Sequence, residues 1–319
     1  MMDSSLRQPY IAEIPELRKI WSAAFRSDDD ELFFDSCFVP ELSLAVICDS
    51  AVAAAGYLIP AGHLISGGLS FPCAMIYGVA THPEYRNRGF GESIVKGLIV
   101  LGNKAGYPEI VLCPTEDSLF GYYSARSCLR DWFYIWELAI SSAPVNGSRN
   151  TLTQVTPDEY IRLREDLLSN VPHISFDLRT MMYQESLCRR YGGGFFRYHS
   201  PAGAACALIE TQSESEIRIK ELLAPDICDI NDILPCFLAE ITAEFPASRY
   251  IIRTPVCLND NQSAISVKKG YVTQAGIKHS CEPPPVSIPR RFGMLAAPER
   301  HNTETKGFNY APWYGIAFD

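Results

Sequence analysis

The stretch YGVATHPEYRNRGFG, residues 77–91, decides the fold of this chain, because a strand-like run there enters a loop of arginines and glycines that leads into a helix. Gly89 and Gly91 allow the backbone to approach a ligand closely. The first turn of the helix offers unpaired amide donors, and Arg86 and Arg88 add positive charge beside them. The pattern predicts a phosphate-binding loop. The alternative is a glycine-containing helix start whose arginines are simply solvated.

The residues after this loop predict a helix and then a strand. The helix runs over residues 90–105 and stops at Gly106. Its apolar face consists of Ile94, Val95, Leu98, Ile99 and Leu101. The apolar run 109–113 follows as a strand. Strand, loop, helix and strand in this order predict a parallel pair of strands joined by a right-handed crossover.

The motif Arg86-Asn87-Arg88-Gly89-Phe90-Gly91 resembles the Arg/Gln-x-x-Gly-x-Gly/Ala signature of the GNAT acyltransferases, and residues 78–85 resemble the fourth strand of that family and its exit. The resemblance implies loop amides that hold the pyrophosphate of acetyl-CoA, the co-substrate. It also implies a backbone amide near Val79 that meets the thioester carbonyl. The cofactor-binding residues that the resemblance implies are Val79, Ala80, Thr81, Arg86, Asn87, Arg88, Gly89, Phe90, Gly91 and Glu92.

The same resemblance gives a role to a tyrosine further along the chain. Residues 120–123 open a short helix, in a region where the family carries a tyrosine that protonates the departing thiolate. Tyr123 falls on that position and is the predicted catalytic acid. The Gly-Phe that usually ends this element reads Ser127-Cys128 here, so Tyr122 is kept as a second candidate. The alternative for Tyr123 is an aromatic ring packed in the core with its hydroxyl hydrogen-bonded.

Length and composition restrict the class of protein. A chain of 319 residues with 47% hydrophobic residues can bury a large core and favours two domains over one. It has no export signal and no run near the roughly twenty apolar residues that span a bilayer, so we expect a cytoplasmic protein without a membrane partner. Eleven scattered cysteines and six dispersed histidines show neither a disulfide framework nor zinc-site spacing, and we expect no metal.

The net charge of −9 disfavours a nucleic-acid partner and suits a small, cationic acceptor such as an amine. The sequence leaves open whether the chain forms a homo-oligomer.

Upstream of the loop, the order of predicted elements resembles that of the GNAT fold from about residue 10 to residue 140. Residues 13–25 and 29–38 predict two helices, and residues 42–48 and 52–59 predict an antiparallel hairpin. A loop marked by Gly62, Gly67 and Gly68 then precedes the motif-bearing strand, which we expect to start near Cys73.

A second unit is expected after residues 141–153, which are small, polar and turn-prone. Thr156 and Pro157 open its first helix. The elements after it repeat the order of the first unit, with helices over 177–190 and 230–245 and strands over 194–198, 204–211, 216–223 and 250–255. No arginine and glycine loop follows Leu223, and Asp226, Asp229 and Asp232 would repel phosphate. The second copy is therefore predicted to have lost cofactor binding.

These observations predict an α/β (α+β) GNAT acyltransferase fold, a mixed central sheet flanked by helices. The predicted divisions are a catalytic domain that binds acetyl-CoA over 1–145, a degenerate GNAT-like domain over 146–282, and a tail over 283–319 that docks back on the domains. The tandem arrangement resembles that of the enhanced-intracellular-survival-type acetyltransferases, without a recognisable third domain, and that of the N-myristoyltransferases. In both families the chain terminus enters the active site, which makes the α-carboxylate of Asp319 a candidate base. The alternative is that the tail packs and this carboxylate faces solvent.

The function that the resemblance implies is that of an N-acetyltransferase, which transfers an acetyl group from acetyl-CoA to a primary amine by direct attack. Three other functions stay open from the sequence. The chain is alternatively a non-catalytic acyl-CoA-binding sensor or scaffold, a protein-lysine acetyltransferase, or a transferase that uses another activated acyl donor.

Overall fold

The chain divides into two compact units, each built from segments that are separated in the sequence. Unit 1 comprises Met1–Trp132, Ile174–Tyr183 and Phe292–Thr305, and unit 2 comprises Phe133–His173, Gln184–Arg291 and Lys306–Asp319. The computed structural model describes residues 4–25, 29–141, 152–200, 203–226, 230, 233–256, 289–296 and 311–316 of these ranges. The division into domains at residues 145 and 282 stays a prediction.

Unit 1 contains a mixed sheet with helices that pack on it. Its elements are β1 (Ser4–Arg7), α1 (Ile14–Phe25), α2 (Asp30–Ser36), β2 (Ser43–Cys48), β3 (Ala51–Ser66), β4 (Leu69–Thr81), α3 (Phe90–Lys104), β5 (Glu109–Leu112) and α4 (Asp117–Arg126). Strands β1 to β4 pair antiparallel in sequence order, and β4 pairs parallel with β5. The predicted parallel pair with a crossover helix is confirmed.

The hairpin of β3 and β4 is longer than the sequence pattern predicts. Strand β3 continues to Ser66, and Gly67 and Gly68 alone form the turn, with φ of 59° and 76°. Gly62 lies inside β3 rather than in a loop. A Cβ on it would lie 2.1 Å from the carbonyl oxygen of Ser175, because the backbone of residues 174–177 passes directly against this strand. This contact is tertiary, so the local sequence could not reveal it.

The core of unit 1 lies between the sheet and α3. It contains Ala54 and Leu58 of β3, Ala74 and Ile76 of β4, and Ile94 and Leu98 of α3. On the opposite face of the sheet, α1 and α2 cover an aromatic group of Trp21, Phe33, Tyr57 and Tyr77. Both faces of β3 and β4 are therefore covered.

Unit 2 repeats this arrangement. Its strands and helices lie within β6 (Leu129–Ser141), β7 (Leu152–Gln154), α5 (Pro157–Leu167), β8 (His173–Phe176), α6 (Leu178–Arg190), β9 (Gly194–Ser200), β10 (Gly203–Ser213), β11 (Glu216–Leu223), α7 (Leu234–Glu244) and β12 (Arg249–Thr254). The boundaries between the units fall inside three of these elements: β6, β8 and α6. Each of the three therefore has some residues in unit 1 and others in unit 2. Strands β7, β9, β10 and β11 pair antiparallel in turn, and β11 pairs parallel with β12.

Apart from β8, which lies between α5 and α6, the same order of elements occurs twice: a strand, two helices, three antiparallel strands, a crossover helix and a parallel strand. The first copy uses β1, α1, α2, β2, β3, β4, α3 and β5, and the second uses β7, α5, α6, β9, β10, β11, α7 and β12. The duplication predicted from the pattern of elements is confirmed at the level of topology. In the sequence, Lys269-Gly270-Tyr271 also predicts the start of a final strand, and these residues lie outside the described ones.

In each unit, the strand that pairs with the last strand of the parallel pair comes from a distant part of the sequence. In unit 1, β13 (Arg290–Ala296) pairs antiparallel with β5 and places Met294 beside Leu112. In unit 2, β6 pairs antiparallel with β12 and places Trp136 beside Thr254. Neither partner is the strand that a reading in chain order would choose, because pairing depends on which strands the fold brings side by side.

Candidate functional site

The carboxyl end of β4 extends beyond β5 in unit 1. The parallel register of the two strands stops at Ile76 and Leu112, where β5 ends, whereas β4 continues to Thr81. Residues 77–79, which lie beyond that last pair, are partly exposed, whereas Cys73 to Ile76 are buried. We call the region beside this overhang of β4, past the end of β5, the wedge, because backbone groups without a partner on β5 are available to a ligand there.

A bulge in β4 lies at this wedge. The register with β3 passes from Tyr57 and Tyr77 directly to Ala55 and Ala80, so Gly78 and Val79 have no registered partner on β3. Gly78 has a φ of 59°, in the region that favours glycine. Bulges re-aim the residues beside them. Val79 lies in this bulge, and the contact of its amide with the thioester carbonyl, which the family resemblance implies, stays a prediction.

Replacing Gly78 with alanine should destabilise unit 1 strongly. A Cβ there would lie 2.5 Å from the Trp21 ring and 2.9 Å from the Tyr57 ring. Left-handed backbone costs roughly 1–2 kcal/mol and overpacking about 1–3 kcal/mol, so we expect a loss of about 2–4 kcal/mol in urea unfolding. Gly68→Ala is the matched control, because Gly68 also has positive φ but no atom within 4 Å of a Cβ. Equal losses in the two variants would contradict the packing argument.

The loop after β4 presents an open helix start. Residues Pro83–Tyr85 form a short 3₁₀ turn, and Asn87 and Gly89 have φ of 63° and 78°. Gly89 is the N-cap of α3, so no N-cap side chain occupies the amide donors of the first turn. A Cβ on Gly89 would meet no atom within 4 Å. The loop residues 86–89 are exposed, as a phosphate-binding loop requires.

Charged side chains surround this helix start. The Arg86 Nε donates to the Thr81 carbonyl oxygen at 3.4 Å, and the Arg88 Nη2 donates to the Glu84 carbonyl oxygen at 3.1 Å. Both arginines are thereby held along the loop. The predicted contact residue Glu92 lies in the first turn of α3, and its side chain is paired within the protein.

The Glu92 carboxylate accepts from Lys96 Nζ at 2.6 Å and lies 3.7 Å from the Arg126 Nε. The Lys96 hydrogen bond lowers the pKa of Glu92 below its ordinary value. The carboxylate therefore stays ionised with two cations beside it, so its charge is offset at the place where an anion would bind.

Tyr123 lies on the inner face of α4. It is 9% exposed and belongs to the buried cluster that also contains Ile76 and Leu112, the last paired residues before the wedge. Its hydroxyl has no hydrogen-bond partner among the described residues. It is also not one of the side-chain polar atoms in those ranges that are fully buried without a partner. Burial raises the pKa of Tyr123 to about 12. The hydroxyl is thus protonated at neutral pH and able to donate.

Tyr122 occupies a different place on α4. A Cβ on Gly91 would lie 3.3 Å from the Tyr122 hydroxyl and 3.9 Å from the Thr81 hydroxyl. The Arg126 guanidinium lies over the Tyr122 ring, 4.5 Å from its centroid. The Tyr122 ring packs against the same apolar cluster that contains Tyr123, but its hydroxyl lies beside the helix start of α3, whereas Tyr123 is itself a buried member of the cluster.

The corresponding end of the sheet in unit 2 is filled by the chain itself. The parallel register of β11 and β12 stops at Ile219 and Ile252, although β11 continues to Leu223. Residues 311–316 lie there: the Ala311 amide donates to the Val256 carbonyl oxygen at 2.9 Å. The Trp313 Nε1 donates to Glu221 on β11 at 2.7 Å, and Trp313 is fully buried. These contacts are consistent with a tail that docks, and the docking of residues 283–319 as a whole stays a prediction.

Some predicted features fall outside the described part of the chain. Asp319, the predicted base, is one of them, as are Asp229 and Asp232. Within the described ranges, no group of three His, Cys, Asp or Glu side chains is placed to hold a metal ion. The expectation that the protein uses no metal stays a prediction. None of the helices in those ranges combines the length and the apolar character needed to cross a membrane.

Two residues of the site were not found by sequence reasoning. Gly78 was read as ordinary strand, although a glycine inside a strand pattern is a known sign of a bulge. Arg126 was not considered, although its spacing of four residues from Tyr122 on a helix would place the two side chains together. The strand glycine and the spacing of four residues are both visible in the local sequence. Their role in the site could be recognised only from the residues that pack against them in the structure.

Comparison with known proteins agrees with this geometry. Residues 5–126 match the family model described as an acetyltransferase (GNAT) domain. A conserved protein of unknown function from Enterococcus faecalis, titled a probable N-acyltransferase, is similar in structure at a TM-score of 0.62 and 16% identity, over 92% of this chain and 72% of that one. No curated protein matches the chain.

Two further solved structures are similar. A GCN5-related N-acetyltransferase from Kribbella flavida matches at a TM-score of 0.59 and 15% identity, over 92% of this chain and 71% of that one. Eis1 from Mycobacterium abscessus matches at 0.51 and 11% identity, over 78% of this chain and 65% of that one. At these identities the structures show a shared fold.

Proposed function

We propose, on the premise that residues 5–126 form an acetyltransferase domain of the GNAT family, that this protein transfers an acetyl group from acetyl-CoA to a primary amine of a small cationic acceptor. The observation that carries the proposal is the wedge between β4 and β5, which opens beside an uncapped helix start at Gly89. Main-chain amides of residues 88–92 would hold the pyrophosphate, and Arg86 and Arg88 would add charge. The wedge would take the pantetheine arm with its thioester.

The reaction forms a bond between the amine nitrogen and the acetyl carbon and breaks the bond between that carbon and sulfur. The nitrogen loses a proton and the sulfur gains one. The Val79 amide is proposed to stabilise the charge on the carbonyl oxygen, and the Tyr123 hydroxyl to protonate the thiolate. The α-carboxylate of Asp319 stays a predicted base for the nitrogen proton. A cytoplasmic location likewise stays a prediction.

The side chains near the wedge support a cationic acceptor. Tyr77 immediately precedes the bulge and is partly exposed, and its ring lies 5.5 Å from Trp21 and 5.4 Å from Phe33. Aromatic faces attract ammonium groups. The net charge of −9 attracts cations in general. Together these features favour an amine that binds as a cation and is deprotonated before attack.

An assay of CoA thiol release with acetyl-CoA and a panel of amines tests the proposal. Release that depends on one class of amine supports it. Binding of CoA in calorimetry without release for any amine or lysine peptide would select the sensor or scaffold function instead. Absence of CoA binding would reject the placement of the cofactor.

Substitution of Gly89 should weaken cofactor binding before it affects the fold. Gly89→Val places a branched side chain where left-handed backbone is required, which distorts the loop amides. We expect the Kd for CoA to rise by at least about tenfold, since hydrogen bonds to a charged group contribute roughly 1.5–3 kcal/mol each. The matched control is Gly106→Val, because Gly106 ends the same helix with positive φ and open space around it. An unchanged Kd in Gly89→Val would contradict the assignment.

A further inference from the structure

We infer that Tyr122 is a phosphate ligand of the cofactor site, distinct in role from the adjacent Tyr123. The inference rests on the proposed function and names a residue that neither the family match nor the loop motif assigns. Its starting point is the distance of 3.3 Å between the Tyr122 hydroxyl and the Cβ position of Gly91. Gly91 lies in the first turn of α3, whose amides face the proposed pyrophosphate.

The absence of a side chain at Gly91 is what leaves room beside the Tyr122 hydroxyl. A methyl group there would be in tight contact with that hydroxyl and would approach the Thr81 hydroxyl. A ligand oxygen bound to the first-turn amides would therefore come within reach of a phenol donor. The Tyr122 hydroxyl has no hydrogen-bond partner among the described residues and is not sealed from solvent, so its proton is available.

Two contacts hold the Tyr122 ring in this position, and a third holds the arginine that lies over it. The Arg126 guanidinium stacks on it, and the Tyr123 ring meets it edge-on at 5.2 Å with an interplanar angle of 78°. Arg126 also lies 3.7 Å from the Glu92 carboxylate, which belongs to the first turn of α3. The helix that carries the proposed acid is thus tied to the helix that carries the phosphate donors. A hydroxyl fixed in advance loses little entropy when it binds.

Tyr123 lacks this geometry. Its ring belongs to the buried cluster of Ile76 and Leu112, at the base of the wedge, where the thioester is proposed to lie. The neighbouring positions on α4 therefore divide the work: position 122 binds the phosphate end of the cofactor, and position 123 serves the sulfur end. Phenylalanine at either position removes a hydroxyl and keeps the ring, so paired variants separate the two roles.

The test compares Tyr122→Phe with wild type in two measurements. Calorimetric titration with CoA should show a Kd about tenfold higher for Tyr122→Phe, the loss expected for one hydrogen bond to a charged group. With S-acetylpantetheine, which has the thioester but no phosphate, the two proteins should have equal kcat/KM. At saturating acetyl-CoA, kcat should stay within about twofold of wild type. Tyr107→Phe is the control, because Tyr107 is also partly buried and lies at the other end of α3.

Each other outcome overturns the inference. Equal losses with CoA and with S-acetylpantetheine would make Tyr122 a packing residue or a contact of the thioester. A fall in kcat at saturation would place it in proton transfer, and an unchanged Kd would remove it from the site. If wild type itself fails to bind CoA, the proposed function fails, and that result is separate from any property of Tyr122→Phe.

Discussion

Tyr123→Phe should lower kcat by about a hundredfold while leaving the affinity for CoA unchanged. General acid catalysis contributes typically 10²–10⁴ in rate, and the loss of one positioned hydroxyl removes that contribution. The fold should persist, because phenylalanine keeps the ring in its cluster and the missing hydroxyl has no partner among the described residues. Steady-state kinetics at saturating acetyl-CoA, with calorimetric titration of CoA, measures both quantities.

The pH profile gives a second check on Tyr123. An acid must be protonated to act, and this form is lost as the pH rises through its pKa. Burial raises the pKa of Tyr123 to about 12, so the hydroxyl stays protonated where an ordinary tyrosine would ionise. Wild-type kcat should therefore not fall up to about pH 10. A fall centred near pH 10, or a kcat of Tyr123→Phe within twofold of wild type, would contradict the role. Tyr107→Phe should behave as wild type.

Glu221→Gln should destabilise unit 2 by about 3–5 kcal/mol, the cost of removing one partner of a buried ion pair. Glu221 is fully buried and accepts from Arg164 Nε at 3.0 Å, from the Tyr160 hydroxyl at 2.8 Å and from Trp313 Nε1 at 2.7 Å. Glutamine keeps the shape but not the charge opposite Arg164, which is 1% exposed. Its amide also offers fewer acceptor sites to the three donors.

Urea unfolding of the full chain, followed by tryptophan fluorescence and circular dichroism, measures this loss. The matched control is Glu216→Gln on the same strand, whose partly exposed carboxylate pairs with Arg249 at 3.3 Å. A pair of that kind contributes at most about 1 kcal/mol. If the two variants lose equal stability, the hydrogen bonds of Glu221 to Arg164, Tyr160 and Trp313 do not anchor residues 311–316. The result is independent of cofactor binding, because Glu221 lies in unit 2.

The filled end of the unit 2 sheet gives a physical reason for a degenerate second copy. In unit 1 the strands separate beside a glycine-capped helix start, whereas in unit 2 Trp313 and its neighbours lie where the strands separate. This supports the prediction that unit 2 does not bind acetyl-CoA. It also gives the aromatic tail a structural role that does not require its terminal carboxylate.

The loop motif was readable from sequence because its chemistry is local. A helix start without a capping side chain, glycines at the turn and arginines beside it are properties of consecutive residues, and Gly89 and Asn87 adopt the backbone that such a loop requires. The predicted bounds of α3 and β5 agree with the structure within about one residue, since periodicity and stop signals act along the chain, whereas β3 and β4 are several residues longer than predicted. The capping box of Thr156 and Glu159 is of the same kind.

Three features depended on residues far apart in the sequence. Gly62 is inside a strand because residues 174–177 pass against it, and Gly78 bulges against Trp21. The separate positions of Tyr122 and Tyr123 follow from the packing of α4 on α3 and the sheet. The pairing of β13 with β5 joins residues about 180 positions apart.

The sequence by itself predicted a phosphate-binding loop and determined the backbone of that loop, the order of elements and the duplication, because hydrophobic period, turn chemistry and capping act over a few residues. Tertiary structure decided where β4 leaves β5, which tyrosine meets which part of the site, and what fills the end of unit 2. Those outcomes depend on which side chains and strand edges meet, and the free energy of that packing belongs to pairs of residues that no local pattern records.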